Sequence, residues 1–181
     1  ITAVRKGQGR HRLDHGGAVY KVFELDDLPE PELPDGYTVR SVAEQDDVDK
    51  LRALKALAFG GRYNPSDWMP ASVLHETRCA PDYRPELDLF VVGPESEYVA
   101  FCTIWLDQEN GYPKFEPVGT HVAYQRRGIG RGLLYEGFRR MADWGAKRSY
   151  MDAVNSFYER IGYRPMPYGY HPWIKYLKAL A

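Results

Sequence analysis

The 181-residue chain is 44% hydrophobic and 27% charged, and its formal net charge is -1. That length favours one domain with a real core. The balanced charge gives no electrostatic reason to expect nucleic acid or an anionic membrane surface as the main partner, and neither is expected. No apolar run reaches membrane-spanning length, and Cys79 and Cys102 fit neither a metal pattern nor a redox pair. A reduced, cytoplasmic protein without a metal is the expectation.

Ile1 to Gly17 is polar and basic and reads as a tail rather than a secretory leader. Ala18 to Leu25 carries β-formers and predicts a strand. Leu28 to Gly36 holds Pro29, Pro31 and Pro34 among acids, a stiff linker. The domain boundary is therefore expected there, with residues 1–35 as tail, strand and linker and 36–181 as the domain. Tyr37 to Val42 reads as a strand. Ser41 and Glu44 have capping-box spacing. Behind them Val48, Leu51, Leu54, Leu57 and Ala58 mark an amphipathic helix that Gly60 and Gly61 end.

Ala71 to Thr77 predicts a second helix. Leu87 to Val92 is a buried strand by its unbroken apolar run. Tyr98 to Leu106 and Lys114 to Val122 follow as strands around a hairpin turn at Gln108 to Tyr112. Gly128 to Trp144 repeats apolar residues at helical spacing and stops at Gly145. Arg148 to Met151 is a short strand, Val154 to Ile161 a short helix, and Tyr163 to Met166 and Trp173 to Leu177 are extended. The order gives a mixed α/β (α+β) layer fold with antiparallel hairpins in the middle.

Chemistry concentrates in Gln125-Arg126-Arg127-Gly128-Ile129-Gly130-Arg131, a turn that follows a strand and opens a helix. Glycines let successive N–H groups point into one concavity. Such a nest at a helix N-terminus takes phosphate, and the arginines add charge. A Walker loop would need Gly-Lys-Ser/Thr, which is absent. A dinucleotide fingerprint would need a third glycine where Leu133 stands.

Gln125-x-x-Gly128-x-Gly130 resembles motif A of the GNAT acetyltransferases, and Asn155-Ser156-Phe157-Tyr158-Glu159-Arg160-Ile161-Gly162-Tyr163 resembles that family's second signature. The resemblance covers about Tyr37 to Leu177. It implies a mostly antiparallel central sheet with a splayed strand and flanking helices, and an N-acetyltransferase that uses acetyl-CoA on a small-molecule amine or a peptide. Dimers are common in the family, so a homodimer is a partner to consider.

The resemblance also implies roles. Gln125 to Arg131 would hold the pyrophosphate, and backbone groups freed at Val118, Gly119 and Thr120 would hold pantetheine and polarise the thioester. Pro117 and Gly119 suit a place where strand pairing fails. Tyr158 would protonate the leaving thiolate. Asn155 would touch the cofactor or cap its helix. Glu116 is the candidate general base and His121 its rival. Strand alternation sets 116, 118 and 120 on the face opposite 121, unless a bulge at Pro117 or Gly119 breaks the parity. Tyr63, Trp68 and Trp105, with Arg62 and Asn64, are candidates for the acceptor pocket.

The chain departs from the family at Met151-Asp152-Ala153, where strand and helix would follow each other without a connection. A loop absent between Asp152 and Ala153 is the expectation. The competing readings are a catalytically silent CoA-binding sensor or scaffold, such as one half of a tandem GNAT protein, and a Rossmann-like nucleotide binder.

Overall fold

The computed structural model describes residues 20–59, 70–152 and 155–166, and the backbone of 11–12 and 173–174. It divides into two compact units, Glu24–Tyr150 and a smaller one of Ile1–Phe23 with Met151–Ala181.

The larger unit orders its strands β3 (Thr38–Ser41), β4 (Asp88–Val92), β5 (Tyr98–Asp107), β6 (Tyr112–Thr120) and β7 (Arg148–Met151). Pairing is antiparallel from β3 to β6 and parallel between β6 and β7. The sheet is thus mixed, as expected. The turns are built by local chemistry. Gly93 N–H donates to the Glu97 carbonyl at 2.8 Å, and the Asp107 carboxylate accepts from Asn110 N–H at 3.0 Å.

Helix α1 (Val48–Ala58) starts later than the Ser41/Glu44 spacing suggests. Those residues do bond to each other, but both side-chain bonds run one way: Ser41 N–H and its hydroxyl donate to the Glu44 carboxylate at 2.7 and 3.1 Å, while Glu44 N–H donates to the Ser41 carbonyl at 3.0 Å. They close a turn, however, and Asp47 is the cap, accepting from Lys50 N–H at 3.0 Å. The buried stripe of α1 is also rotated from the expected one. Leu57 is 42% exposed, and Lys55 and Ala56 are buried with Leu51 and Leu54.

Helices α2 (Ala71–Arg78) and α3 (Ile129–Asp143) fall where the periodicity puts them. Gly60, Gly61 and residues 62–69 lie outside the described residues.

Helices α1 and α3 lie on opposite faces of the sheet. Phe115 of β6 faces α3, where it packs edge-on against Phe138 at 5.5 Å between ring centroids. Gly137 makes room for it, since a Cβ there would come within 2.7 Å of the Phe115 ring. Gly137→Ala should therefore lower stability by about 1–3 kcal/mol through overpacking. Thermal denaturation should read this as a fall of about 3–10 °C in Tm, and an unchanged Tm would mean that the ring yields freely.

Gly132 does a different job. A Cβ there would lie 2.3 Å from the Glu32 carbonyl oxygen, so the proline-rich segment rests on the first turn of α3.

Glu136 of α3 anchors an ion cluster, accepting from Arg139 at 2.8 and 2.9 Å and from Arg140 at 2.8 Å. Burial opposes its ionisation, but these hydrogen bonds outweigh burial and hold the carboxyl below its ordinary value of 4.5. A carboxyl whose folded pKa is depressed adds stability above its unfolded value, and the addition fades as pH falls through the folded one. Glu136→Gln should thus lose stability at neutral pH and show a shallower decline below about pH 4.5. Parallel acid limbs in urea melts of the two proteins would refute this.

In the smaller unit β2 (Lys21–Glu24) pairs antiparallel with β8 (Arg164–Pro165), and β1 (His11–Arg12) with β9 (Trp173–Ile174). Helix α4 (Ser156–Ile161) is capped by Asn155, whose Oδ1 accepts from Phe157 N–H at 2.8 Å, and stops at Gly162 with φ +118°. Lys21, 3% exposed, pairs with Glu159 of α4 at 3.0 Å. Because α4 begins at Ser156, strand and helix are not contiguous as the sequence suggested. The join between Asp152 and Ala153 lies outside the described residues.

Candidate active site

Strand β6 pairs with β5 at both ends but not in one register. Phe115 opposes Ile104, whereas Val118 opposes Cys102, so β6 carries one extra residue at Glu116–Pro117. This bulge breaks the alternation. Phe115 faces α3, yet Gly119, four residues on, faces α1, where a Cβ would lie 2.7 Å from the Phe101 ring and 2.9 Å from Ala58 Cβ.

On its other edge β6 pairs with β7 at Lys114↔Tyr150, and among the described residues the register goes no further. Among the described residues no strand pairs with this edge, the open edge, beyond that point. His121 N–H donates to the Val99 carbonyl at 2.9 Å, towards β5. Alternation then turns the backbone of Gly119 towards β5 and that of Val118 and Thr120 towards the open edge. The Thr120 carbonyl accepts from the Gln125 side chain at 3.1 Å. The strand therefore splays beside Pro117 and Gly119, as their residue types predict.

The open edge leads through a short 3-10 turn (Val122–Tyr124) into the glycine–arginine loop. Arg126 and Gly128 both have left-handed backbone, with φ of +65° and +84°. A Cβ on Gly128 would meet nothing within 4 Å, so glycine is needed there for its φ and not for space. Gly128 caps α3 without a side-chain bond, and no acid stands in the first turn. The first helical bond runs from Gly132 N–H to the Gly128 carbonyl at 3.0 Å. The N–H groups of Ile129, Gly130 and Arg131 therefore have no acceptor within the helix. Arg127 is braced, donating to the Ala123 carbonyl at 2.9 Å with its guanidinium 5.0 Å from the centre of the Tyr124 ring.

A family model described as acetyltransferase (GNAT) domain matches residues 85–165. The stretch runs from the turn before β4 to β8 and takes in the splay, the loop and the α4 signature. The chain belongs to the GNAT superfamily. It is 31% identical over 145 residues to mycothiol acetyltransferase of Streptomyces avermitilis, covering 76% of this chain and 46% of that protein. The protein of the same name from Salinispora tropica is 29% identical over 146 residues, covering 75% and 47%. The chain thus spans about half the length of these curated relatives.

Among solved structures, a GCN5-related N-acetyltransferase from Sphaerobacter thermophilus superposes with TM-score 0.66 at 24% identity, over 86% of this chain and 49% of that one. A GNAT family acetyltransferase from Brucella melitensis, solved in complex with acetyl-CoA, superposes with TM-score 0.51 at 20% identity, over 79% and 97%.

The expected residues divide between the two units. Glu116 stands exposed at the bulge, and its carbonyl accepts from the Trp105 indole N–H. Trp105 also packs edge-on against Tyr83 at 6.2 Å. His121 is held otherwise. Its Nδ1 accepts from Ala123 N–H at 3.1 Å, which puts the neutral ring's proton on Nε2. In that tautomer the outward nitrogen is a hydrogen-bond donor.

Tyr158 is half-buried on α4, edge-on to Tyr163 at 6.2 Å. Asn155 adopts its capping role. Cys102 is fully buried, and that burial pushes its thiol well above the usual range. Tyr63 and Trp68, with Arg62 and Asn64, lie outside the described residues. Among the described residues no cluster could hold a metal ion, and no helix is long and apolar enough to cross a membrane.

Sequence reasoning missed a buried polar group on the α1 face of β4 and β5. Asp88, 4% exposed, accepts from the Tyr83 hydroxyl at 2.9 Å and the Thr103 hydroxyl at 2.8 Å. Burial first, then the Asp88 charge, pushes the Tyr83 phenol well above its usual range, so it stays a donor. The available signal was Lys55, a charge at the buried spacing of α1, four residues after Leu51.

Proposed function

We propose that the chain is an acetyl-CoA-dependent N-acetyltransferase that moves an acetyl group to a primary amine by direct attack in a ternary complex. The observation that carries this reading is the open edge of β6 running into a left-handed loop and an uncapped helix N-terminus. That arrangement fits the parts of acetyl-CoA in chain order. Backbone groups of Val118 and Thr120 suit the pantetheine amides, with Gly119 keeping side chains away. The free N–H groups of Ile129, Gly130 and Arg131, the α3 dipole and the charges of Arg126, Arg127 and Arg131 suit a pyrophosphate. Gln125 would exchange its bond to Thr120 for the cofactor. The Brucella melitensis protein, solved with acetyl-CoA, shares this fold.

Bound acetyl-CoA supplies an activated acyl carbon and a thiolate leaving group. Glu116, directly or through a water, takes the proton that the amine loses as its nitrogen bonds to that carbon. A backbone N–H of the open edge hydrogen-bonds the developing oxyanion, an effect worth about 3 kcal/mol per donor in other enzymes. Tyr158 gives its phenolic proton to the sulfur as the C–S bond breaks. A phenol of pKa about 10 can serve a thiolate whose acid lies near about 8.5 at close range.

The curated relatives' name makes a small molecule the first acceptor class to screen, ahead of peptides. A cytoplasmic setting belongs to the same reading, one in which exposed Cys79 stays reduced.

The test is calorimetric titration with acetyl-CoA, followed by thiol release with a panel of amines. Micromolar binding with turnover supports the reading. Binding without turnover of any amine leaves a silent CoA-binding module, and no binding by the folded protein removes the reading.

A further inference from the structure

Trp105 makes a bond that the pairing of the strands does not supply. Between the pairs Cys102↔Val118 and Ile104↔Phe115, Thr103 has no partner on β6, and Glu116 and Pro117 have none on β5. Pro117 brings no N–H to this stretch. At this bulge the Glu116 carbonyl accepts from the Trp105 indole N–H.

The indole is itself held. Its ring packs edge-on against Tyr83 at 6.2 Å between centroids. The Tyr83 hydroxyl donates to Asp88 at 2.9 Å, and the other oxygen of that buried carboxylate accepts from the Thr103 hydroxyl at 2.8 Å. The contacts therefore leave β5 at Thr103, pass through Asp88 of β4 and Tyr83 of the loop before it, return to β5 at Trp105 and end on the backbone of Glu116. All of these residues belong to the larger unit.

A buried carboxylate is costly unless its hydrogen bonds are met, and a satisfied polar network stiffens what it touches. What this one stiffens is a bulge, a device that re-aims a side chain. The side chain at the bulge is Glu116, which is exposed.

We propose that Trp105 is a positioning residue: by holding the Glu116 carbonyl it fixes the bulge in the shape that aims the Glu116 carboxylate at the acceptor amine. This rests on the acetyltransfer reading with Glu116 as base and deepens it. Trp105 then stands behind the base, and the acceptor-pocket role expected from the sequence does not apply. Without the indole the Glu116–Pro117 backbone loses its tether, and a misplacement of about 1 Å can cost about 100-fold in rate.

The experiment is a double-mutant cycle of Trp105→Phe and Glu116→Gln, read as kcat and KM for an amine at saturating acetyl-CoA. Phenylalanine keeps an aromatic ring beside Tyr83 and loses the N–H. Trp105→Phe should lower kcat by about tenfold or more and leave KM for the amine within about twofold. In the Glu116→Gln background the same substitution should change kcat by less than about twofold, because the group it positions is already gone. If Trp105→Phe fails to fold, benzothienylalanine in place of Trp105, which keeps the bicyclic shape without the N–H, is used instead.

Native kcat in Trp105→Phe, an equal loss in both backgrounds, or a loss that falls on KM overturns the proposal. Native kcat in Glu116→Gln removes Glu116 as the base and overturns it too, while acetyltransfer stands. If no amine turns over, the acetyltransfer reading has failed separately, and crystal structures of the native protein and Trp105→Phe decide the positioning. A Glu116 carboxylate displaced by about 1 Å or more supports it, and one that superposes overturns it.

Discussion

Gly128→Asp should reduce acetyl-CoA affinity by at least about 100-fold, equivalent to roughly 2.7 kcal/mol. Two effects act together. Gly128 sits at φ +84°, where an L side chain costs about 1–2 kcal/mol. A carboxylate there would also answer the free N–H groups of α3 from within the chain and repel a pyrophosphate. The substitution leaves the core alone, because nothing lies within 4 Å of the Gly128 Cβ position. Gly128→Ala separates the two effects. It carries the backbone strain without the charge and should weaken binding by about tenfold. Calorimetry on both variants, with circular dichroism to confirm folding, is the check. Native affinity in Gly128→Asp would place the pyrophosphate elsewhere.

Tyr158→Phe should lower kcat by about 10²–10⁴-fold, the range for loss of a positioned proton donor, while acetyl-CoA binding stays within a few-fold of native. The ring is kept, so its edge-on contact with Tyr163 survives and folding should be unaffected. A second readout separates catalysis from packing. If the phenol protonates the thiolate, the variant should recover activity with an acyl donor whose leaving group has a low pKa, such as an aryl thioester, because that group departs without a proton. A kcat loss that is equal for both donors would count against the assignment of Tyr158 as the acid.

Much of this site was legible in the chain because its signals are local. Gly128 and the arginines around it mark a left-handed loop before a helix, and the structure has that loop. Pro117 and Gly119 mark a failure of pairing, and among the described residues β6 pairs with β7 at Lys114 and no further. The parity of Glu116 against His121 was open in the sequence, since a bulge shifts one residue and proline does not announce its register. The tautomer of His121 likewise depends on one backbone N–H that spacing does not reveal.

The polar cluster around Asp88 was illegible for a different reason. Tyr83, Asp88 and Thr103 meet only when β4 and β5 pair, and in the sequence Asp88 merely begins an apolar run. Lys55 was hidden by convention, because a lysine at a stripe position is ordinarily assigned to the solvated side.

The contact between Gly132 and Glu32 bears on how relatives of this chain should be read. Gly128 and Gly132 lie in one short run and look like parts of one signature, but they answer to different demands. Gly128 is fixed by backbone shape at the loop, whereas Gly132 is fixed by the segment that happens to cross above it. Relatives that enter the fold by another route would release Gly132 while retaining Gly128. An alignment should then show the residue at 132 covarying with the presence of the proline-rich lead-in and not with retention of activity. A pattern built from all the glycines of the run would wrongly exclude such relatives.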